Sequence, residues 1–102
     1  MFSSISKLSP QEAEQQIQRE TVKVIDVRSR EEVRQGKIPQ AVNIPLDELA
    51  ERMKDLDTNG QYVMVCRSGH RSAKAAKHLQ KNGYNVKNMT GGMMKWQGDI
   101  EA

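Results

Sequence analysis

Cysteine occurs once in the 102 residues, at Cys66. A single thiol can form neither an internal disulfide nor a cysteine-based zinc site. That excludes the disulfide-stapled secreted class and fits a reducing, cytoplasmic setting. Aromatic side chains are nearly as scarce: Phe2, Tyr62, Tyr84 and Trp96 are the full set. So few cannot build the stacking platform of a nucleic-acid binder. Charge of one sign is also lacking, with 16 basic against 13 acidic side chains and a formal net charge of +3. No nucleic-acid partner is expected. No apolar run approaches the roughly 18 residues a membrane helix needs. The opening MFSSISKLSP has no cationic segment followed by an apolar one, so neither a signal peptide nor a membrane anchor is expected. With no repeat, low-complexity tract or linker, residues 1–102 read as one domain with a modest core, and as a monomer.

What is present alternates between strand and helix signals. Ser9-Pro10-Gln11-Glu12 is a capping box with proline at the first helical position, and Ala13 and Ile17 mark the inner side of the helix it opens. TVKVIDV, Thr21 to Val27, suits a buried strand. Ser29-Arg30-Glu31-Glu32 is a second capping box, opening a brief helix that stops at Gly36. Pro39 and Pro45 bracket AVNI, a short extended segment. Leu46, Leu49, Met53 and Leu56 recur at helical spacing before the turn cluster Asp57-Thr58-Asn59-Gly60. Gln61 to Val65 is a buried strand and Arg71 to Asn82 a helix stopped by Gly83. Tyr84 to Met89 is a last strand, and Gly91-Gly92 leads into a turn of helix carrying Trp96. Such alternation means βα units on a parallel sheet, with the site at the C-terminal strand ends. Cys66 and Asp26 both lie at such ends.

The stretch VMVCRSGHRS, Val63 to Ser72, places that one thiol in a basic loop. A lone cysteine after an apolar run is ordinarily an inert core thiol. Two arginines and a glycine within five residues argue otherwise. Gly69 can take positive φ and let the chain turn sharply into the helix. A tight turn at a helix N-terminus points N–H groups inward as an anion nest. These donors, the helix dipole and the guanidinium groups of Arg67 and Arg71 would all favour thiolate over thiol. Cys66 is thus expected to be a nucleophile.

The loop Cys66-Arg67-Ser68-Gly69-His70-Arg71-Ser72 resembles the active-site loop of rhodanese-domain sulfurtransferases. VIDVRSREEVRQGKIPQAVNIP, Val24 to Pro45, is similar to that family's Asp-x-Arg strand end and Gly-x-Ile-Pro turn. Gly91-Gly92 with Trp96 is similar to its closing element. The resemblance implies a rhodanese-like three-layer α/β/α fold with a five-stranded parallel sheet, strand order 1-5-4-2-3, and a first edge strand near Ser4 to Ser6. It also implies a catalytic Cys66 that carries a persulfide between two half-reactions. A small anionic donor such as thiosulfate, or a persulfide, would load the sulfur. A thiol, on a thioredoxin-like protein or glutathione, or cyanide would remove it. No cofactor or metal is expected. Four residues separate Cys66 from Arg71. The related dual-specificity phosphatases and arsenate reductases have five, so the resemblance favours a single sulfur atom over a tetrahedral oxyanion.

Within this reading Arg67, Ser68, Gly69, His70 and Arg71 form the substrate-binding loop, the arginines orienting the anion and buttressing the turn. His70 faces outward as a selectivity position, because a lowered thiol pKa removes the need for a base. Asp26 and Arg28 could face substrate but are read as a structural ion pair, with Trp96 as core or site wall. Where the family often has His and Gly in its Gly-His-Ile-Pro-Gly-Ala turn, this chain has Lys37 and Gln40, departures expected to alter packing beside the site. His78 is expected at the surface, and Lys74, Lys77 and Lys81 on a solvated face. Met93-Met94 offers an apolar rim for a partner. The alternative to an enzyme is a sulfur-carrier or docking module with the same thiol.

Overall fold

Strands that are apolar on both faces need a cover on each side, and here the cover is helical on both. The structure, a computed structural model, describes residues 5–102. Its strands are β1 (Lys7–Leu8), β2 (Lys23–Asp26), β3 (Val42–Asn43), β4 (Gln61–Val65) and β5 (Asn85–Met89). They form one parallel sheet in the order β1-β5-β4-β2-β3. The helices are α1 (Pro10–Gln18), α2 (Arg30–Arg34), α3 (Leu49–Arg52) and α4 (His70–Lys81).

Successive strand side chains alternate between two cores, as the period of a strand requires. Val24, Val63, Val65 and Met89 pack with Ala13 and Ile17 of α1. Ile25, Val27, Tyr62, Met64 and Cys66 pack with Leu49 of α3 and with Ala75, Ala76 and Leu79 of α4. This phase decides where the thiol goes. Cys66 follows Tyr62 and Met64 in alternation, so its side chain falls on the α4 face, under that helix's first turn. Among the described residues no helix is long and apolar enough to cross a membrane.

Both expected capping boxes are formed, with the Ser9–Glu12 and Ser29–Glu32 exchanges at 2.8–3.2 Å. Two expectations change. The first strand is Lys7–Leu8 rather than a piece near Ser4 to Ser6; Ser4 lies outside the described residues. Ser6 still offers its carbonyl to the Asn88 N–H at 2.9 Å. The register is set by Leu8, which is buried, and the Ser9 cap follows at once. The helix expected through Leu46 to Leu56 is broken into a 3-10 turn (Leu46–Glu48), the short α3 and a second 3-10 turn (Met53–Asp55). Its Met53 carbonyl takes the Leu56 N–H at 3.0 Å and the Tyr84 hydroxyl at 2.8 Å, which tightens the last turn.

The turn after α2 compensates for its unusual residues. The Lys37 ammonium donates to the carbonyls of Ile38, Pro39 and Ala41 at 3.3, 2.9 and 3.2 Å. Gln40 has no positive φ, so glycine's freedom is not needed there.

Beneath this turn lies a buried ion pair. Arg28 donates from Nε and a terminal nitrogen to both carboxylate oxygens of Asp26 at 2.7–3.0 Å, and also to the Gly36 carbonyl at 2.8 Å. The Asp26 carboxylate further accepts the Arg28 N–H at 3.0 Å, so every charge is answered. The pair ties the β2 end to the α2 end, with Asp26 0% and Arg28 7% exposed. Removing one partner strands the other charge in the interior. Asp26→Ala should therefore destabilise by about 3–5 kcal/mol. The double variant Asp26→Leu/Arg28→Met should lose less than the single one, as read from urea midpoints.

Candidate active site

Strand β4 ends at Val65, and four residues later α4 begins with Gly69 as its N-cap at φ +102°. That left-handed turn folds the loop back over its own cysteine. The Gly69 N–H donates to Cys66 Sγ at 3.0 Å, and Ser72 Oγ lies 3.3 Å from the same sulfur. Cys66 and Ser72 are both 0% exposed. Burial pushes the Cys66 thiol pKa up, but the Ser72 hydroxyl and the N–H groups of Ser72, Gly69 and Ser68 outweigh it. The net displacement is downward, toward thiolate.

The loop's carbonyls must find donors elsewhere if its N–H groups are to face the sulfur. A 3-10 turn at Gly92–Lys95 supplies them: Met93 N–H donates to the Cys66 carbonyl at 2.8 Å and Met94 N–H to that of Arg67 at 3.0 Å. Such close backbone approach needs glycine. A Cβ on Gly92, at φ +58°, would stand 2.4 Å from the Cys66 oxygen and 2.5 Å from the Arg67 carbonyl. Trp96 holds this turn from the other side of the sheet. It packs on the α1 core and donates from Nε1 to the Asp99 carbonyl at 3.0 Å, so it forms no wall of the sulfur site.

The two arginines differ in their contacts. Hydrogen bonds are the leading causes of the lowered Cys66 pKa, and Arg71 also interacts with Cys66 through its charge. Arg71 is half-buried and makes a two-pronged ion pair with Glu32 at 2.6 and 2.8 Å, joining the first turns of α2 and α4. Arg67 is exposed at the rim, and no carboxylate among the described residues lies within ion-pair distance of it. Ser68 and His70 are exposed and bonded to each other, Oγ to Nδ1 at 3.1 Å. Asp26 and Arg28 lie in the ion pair described above, and His78 and Lys74, Lys77 and Lys81 are exposed on α4.

Three contributors escaped the sequence reading. Ser72 was legible in principle, since it falls on the inner side of the first turn of α4. Glu32 was visible only as a cap. Asn88 had no signal at all. It shares the strand phase of Val86, is 6% exposed and donates from Nδ2 to the Gly69 carbonyl at 3.1 Å, while its Oδ1 has no partner among the described residues. The Gly69 carbonyl also takes the Ala73 N–H at 3.2 Å. It is thereby held away from the sulfur.

A profile of the rhodanese-like domain family matches residues 9–99. The chain belongs to the rhodanese family. It is 45% identical over 82 residues to the "Putative sulfurtransferase YtwF" of Bacillus subtilis, covering 80% of each chain. It is 37% identical over 101 residues to the "Putative sulfur carrier protein YrkF" of the same organism, spanning 97% of this chain but 55% of that one. Among solved structures, a rhodanese-related protein from Thermoplasma volcanium superposes with a TM-score of 0.89 at 29% identity, covering 94% of this chain and 97% of that one. The five-stranded parallel sheet and its strand order are those expected for a rhodanese.

Two outcomes follow for the rhodanese loop. Glu32 has its carboxyl pulled down from 4.5 to about 2, chiefly by the Arg71 hydrogen bonds acting against burial. A carboxylate with a lowered folded pKa contributes stability above its unfolded pKa and loses it as pH falls through the folded one. Glu32→Gln should be less stable than wild type at pH 7, and the gap should close between pH 4.5 and about 2. Urea midpoints at several pH values read this directly. For the sulfur, the pH midpoint of iodoacetamide alkylation should lie below the free-thiol value of about 8.5. Ser72→Ala and Asn88→Ala should each raise it, and Ser72→Thr should restore it.

Proposed function

We propose that this rhodanese transfers sulfane sulfur through a persulfide on Cys66. The observation that carries the reading is the Cys66 sulfur itself, held 3.0 Å from the Gly69 N–H in a loop that closes at Arg71 after four residues. Thiolate is the attacking species, and it is the form these donors favour.

In the first half-reaction the Cys66 thiolate attacks the outer sulfur of thiosulfate. A new S–S bond forms, the old one breaks and its electron pair leaves with sulfite. Charge is conserved, and sulfite departs as an anion without needing an acid. In the second half-reaction an acceptor thiolate or cyanide attacks the outer sulfur, and Cys66 leaves as thiolate. Each departure returns negative charge to the same N–H groups, which therefore stabilise both resting forms. Ser68, Gly69 and His70 contribute the backbone of the nest, while Arg67 draws anions toward it. Arg71 acts through Glu32 by fixing the loop against α2. The acceptor is a thiol on a thioredoxin-like protein or glutathione, or cyanide, and the setting is a reducing cytoplasm in which the lone thiol stays free.

A carrier role has one observation in its favour: a relative aligned over nearly the whole chain is named for sulfur carriage. It shares the first half-reaction and differs in multiple turnover. Thiosulfate without reductant should add the mass of one sulfur atom to the wild type, cyanide should remove it, and Cys66→Ser should show neither. An unmodified wild type would overturn the proposal. Loading without repeated turnover, followed by thiocyanate release, would assign the carrier role instead.

A further inference from the structure

Two clefts flank the Arg71–Glu32 pair. One, of about 700 Å3, is lined by Glu31, Asp47 and Glu48 together with Arg30 and Arg71. Both of these cations are already matched, Arg30 by Glu48 and Arg71 by Glu32, so the cleft's free charge is acidic. The other, of about 390 Å3, has Arg67, Met93, Met94 and Ile100 among its walls. Its remaining charges are answered, Arg28 by Asp26 and Glu32 by Arg71. Arg67 is left as an unmatched cation beside an aliphatic wall.

That wall is unusual for being exposed and yet fixed. Met94 and Ile100, at 64% and 57%, are two of the three large hydrophobic residues exposed among those described, and both line this cleft. Ile100 is pinned because Lys37 and Glu101 exchange N–H to carbonyl hydrogen bonds at 2.9 Å in each direction. Gly36 makes room for it: at φ +138°, a Cβ there would come within 2.8 Å of Ile100 Cγ2. Met93 and Met94 are pinned by the same N–H groups that hold the Cys66 and Arg67 carbonyls. A fixed apolar rim attached to the sulfur loop has no use for thiosulfate or cyanide, which bring no hydrocarbon.

We propose that this smaller cleft is the acceptor subsite, and that it takes a thiol carried on a short peptide segment bearing an aliphatic side chain and a carboxylate. The inference rests on the sulfur-transfer reading above and names its acceptor. Methionine and isoleucine remove the aliphatic group from water, while Arg67 takes the carboxylate. The volume falls in the range that admits a few side chains. The acceptor thiol loses its proton to solvent, and its sulfur attacks the outer sulfur of the Cys66 persulfide. The S–S bond to Cys66 breaks, its electron pair returns to the Cys66 thiolate, and the acceptor leaves as the persulfide. The larger cleft, with its acidic walls, repels the same carboxylate.

The test separates loading from discharge. Protein is first loaded with thiosulfate and checked by intact mass, which examines only the persulfide. Loaded protein is then discharged by three probes: cyanide, an end-blocked leucyl-cysteinyl-glutamyl peptide, and its leucyl-cysteinyl-lysyl counterpart. The acidic peptide should discharge about tenfold faster than the basic one, in keeping with charge complementarity at a close pair. Arg67→Gln should abolish that preference. In the double variant Met94→Ser/Ile100→Ser, the ratio of acidic-peptide to cyanide discharge should fall about tenfold, the scale of lost apolar contacts. A second arm does not depend on turnover. The same acidic peptide with serine for cysteine is titrated into protein carrying labelled methionine and isoleucine methyls. It should shift Met93, Met94 and Ile100. Equal discharge by both peptides, an unchanged ratio in the double variant, or absent methyl shifts at these residues would each overturn the acceptor subsite, whatever the mass experiment shows.

Discussion

The carbonyl oxygens of Cys66 and Arg67 point away from the sulfur because Met93 and Met94 give them N–H donors. Everything else about the site depends on that pair of hydrogen bonds. A peptide plane carries its donor and acceptor on opposite sides, so an N–H can face inward only if the paired carbonyl is satisfied outside. Asn88 and Ala73 do the same for Gly69. The cradle is therefore built as much by β5 and the turn after it as by the cysteine loop. Gly92 follows from this constraint, since any side chain there would stand inside the backbone it must approach.

Legibility tracked the distance over which each feature is decided. The strands β2, β4 and β5 are apolar, β-branched or bounded by turn residues, and the two capping boxes are each contained in four residues. These could be read directly. So could the placement of Cys66 at a strand end, because strand phase and the following glycine are local. Strand β1 could not, having one buried leucine and no period. The segment after Pro45 carries helical spacing, but its carbonyl at Met53 is taken by Tyr84, 31 residues away. The arginines show the limit most clearly. Their charge is visible in the loop, yet the use of Arg71 is set by Glu32, 39 residues earlier in the chain. Asn88, in the ordinary-looking strand NVKNM, acquires its role only once β5 lies beside the cysteine loop.

The electrostatics that result differ from those a basic loop suggests. Arg71 is neutralised by a carboxylate and Arg28 by another, so the buried part of the loop carries almost no net positive charge. The groups that hydrogen-bond the sulfur are neutral dipoles. That arrangement suits the proposed cycle, in which negative charge rests on sulfur at every stage and only moves from one atom to the next. A fixed cation would hold one state more tightly than the other. Preoriented N–H groups stabilise either form with little reorganisation.

Burial of the sulfur then divides the work between two layers. Cys66 is wholly enclosed, so its side chain contributes no recognition of the molecule that delivers or removes sulfur. On the reading proposed above, discrimination comes from the exposed layer of Arg67, Ser68 and His70 together with Met94 and Ile100. The enclosed layer depends on short contacts that tolerate little change, Gly92 above all. In the exposed layer the backbones of Arg67, Ser68 and Met94 are held by the loop's hydrogen bonds, while their side chains are open to variation. On that reading the fold can keep one sulfur chemistry and alter its acceptor by changing a few side chains at the rim, without disturbing the hydrogen bonds that hold the sulfur.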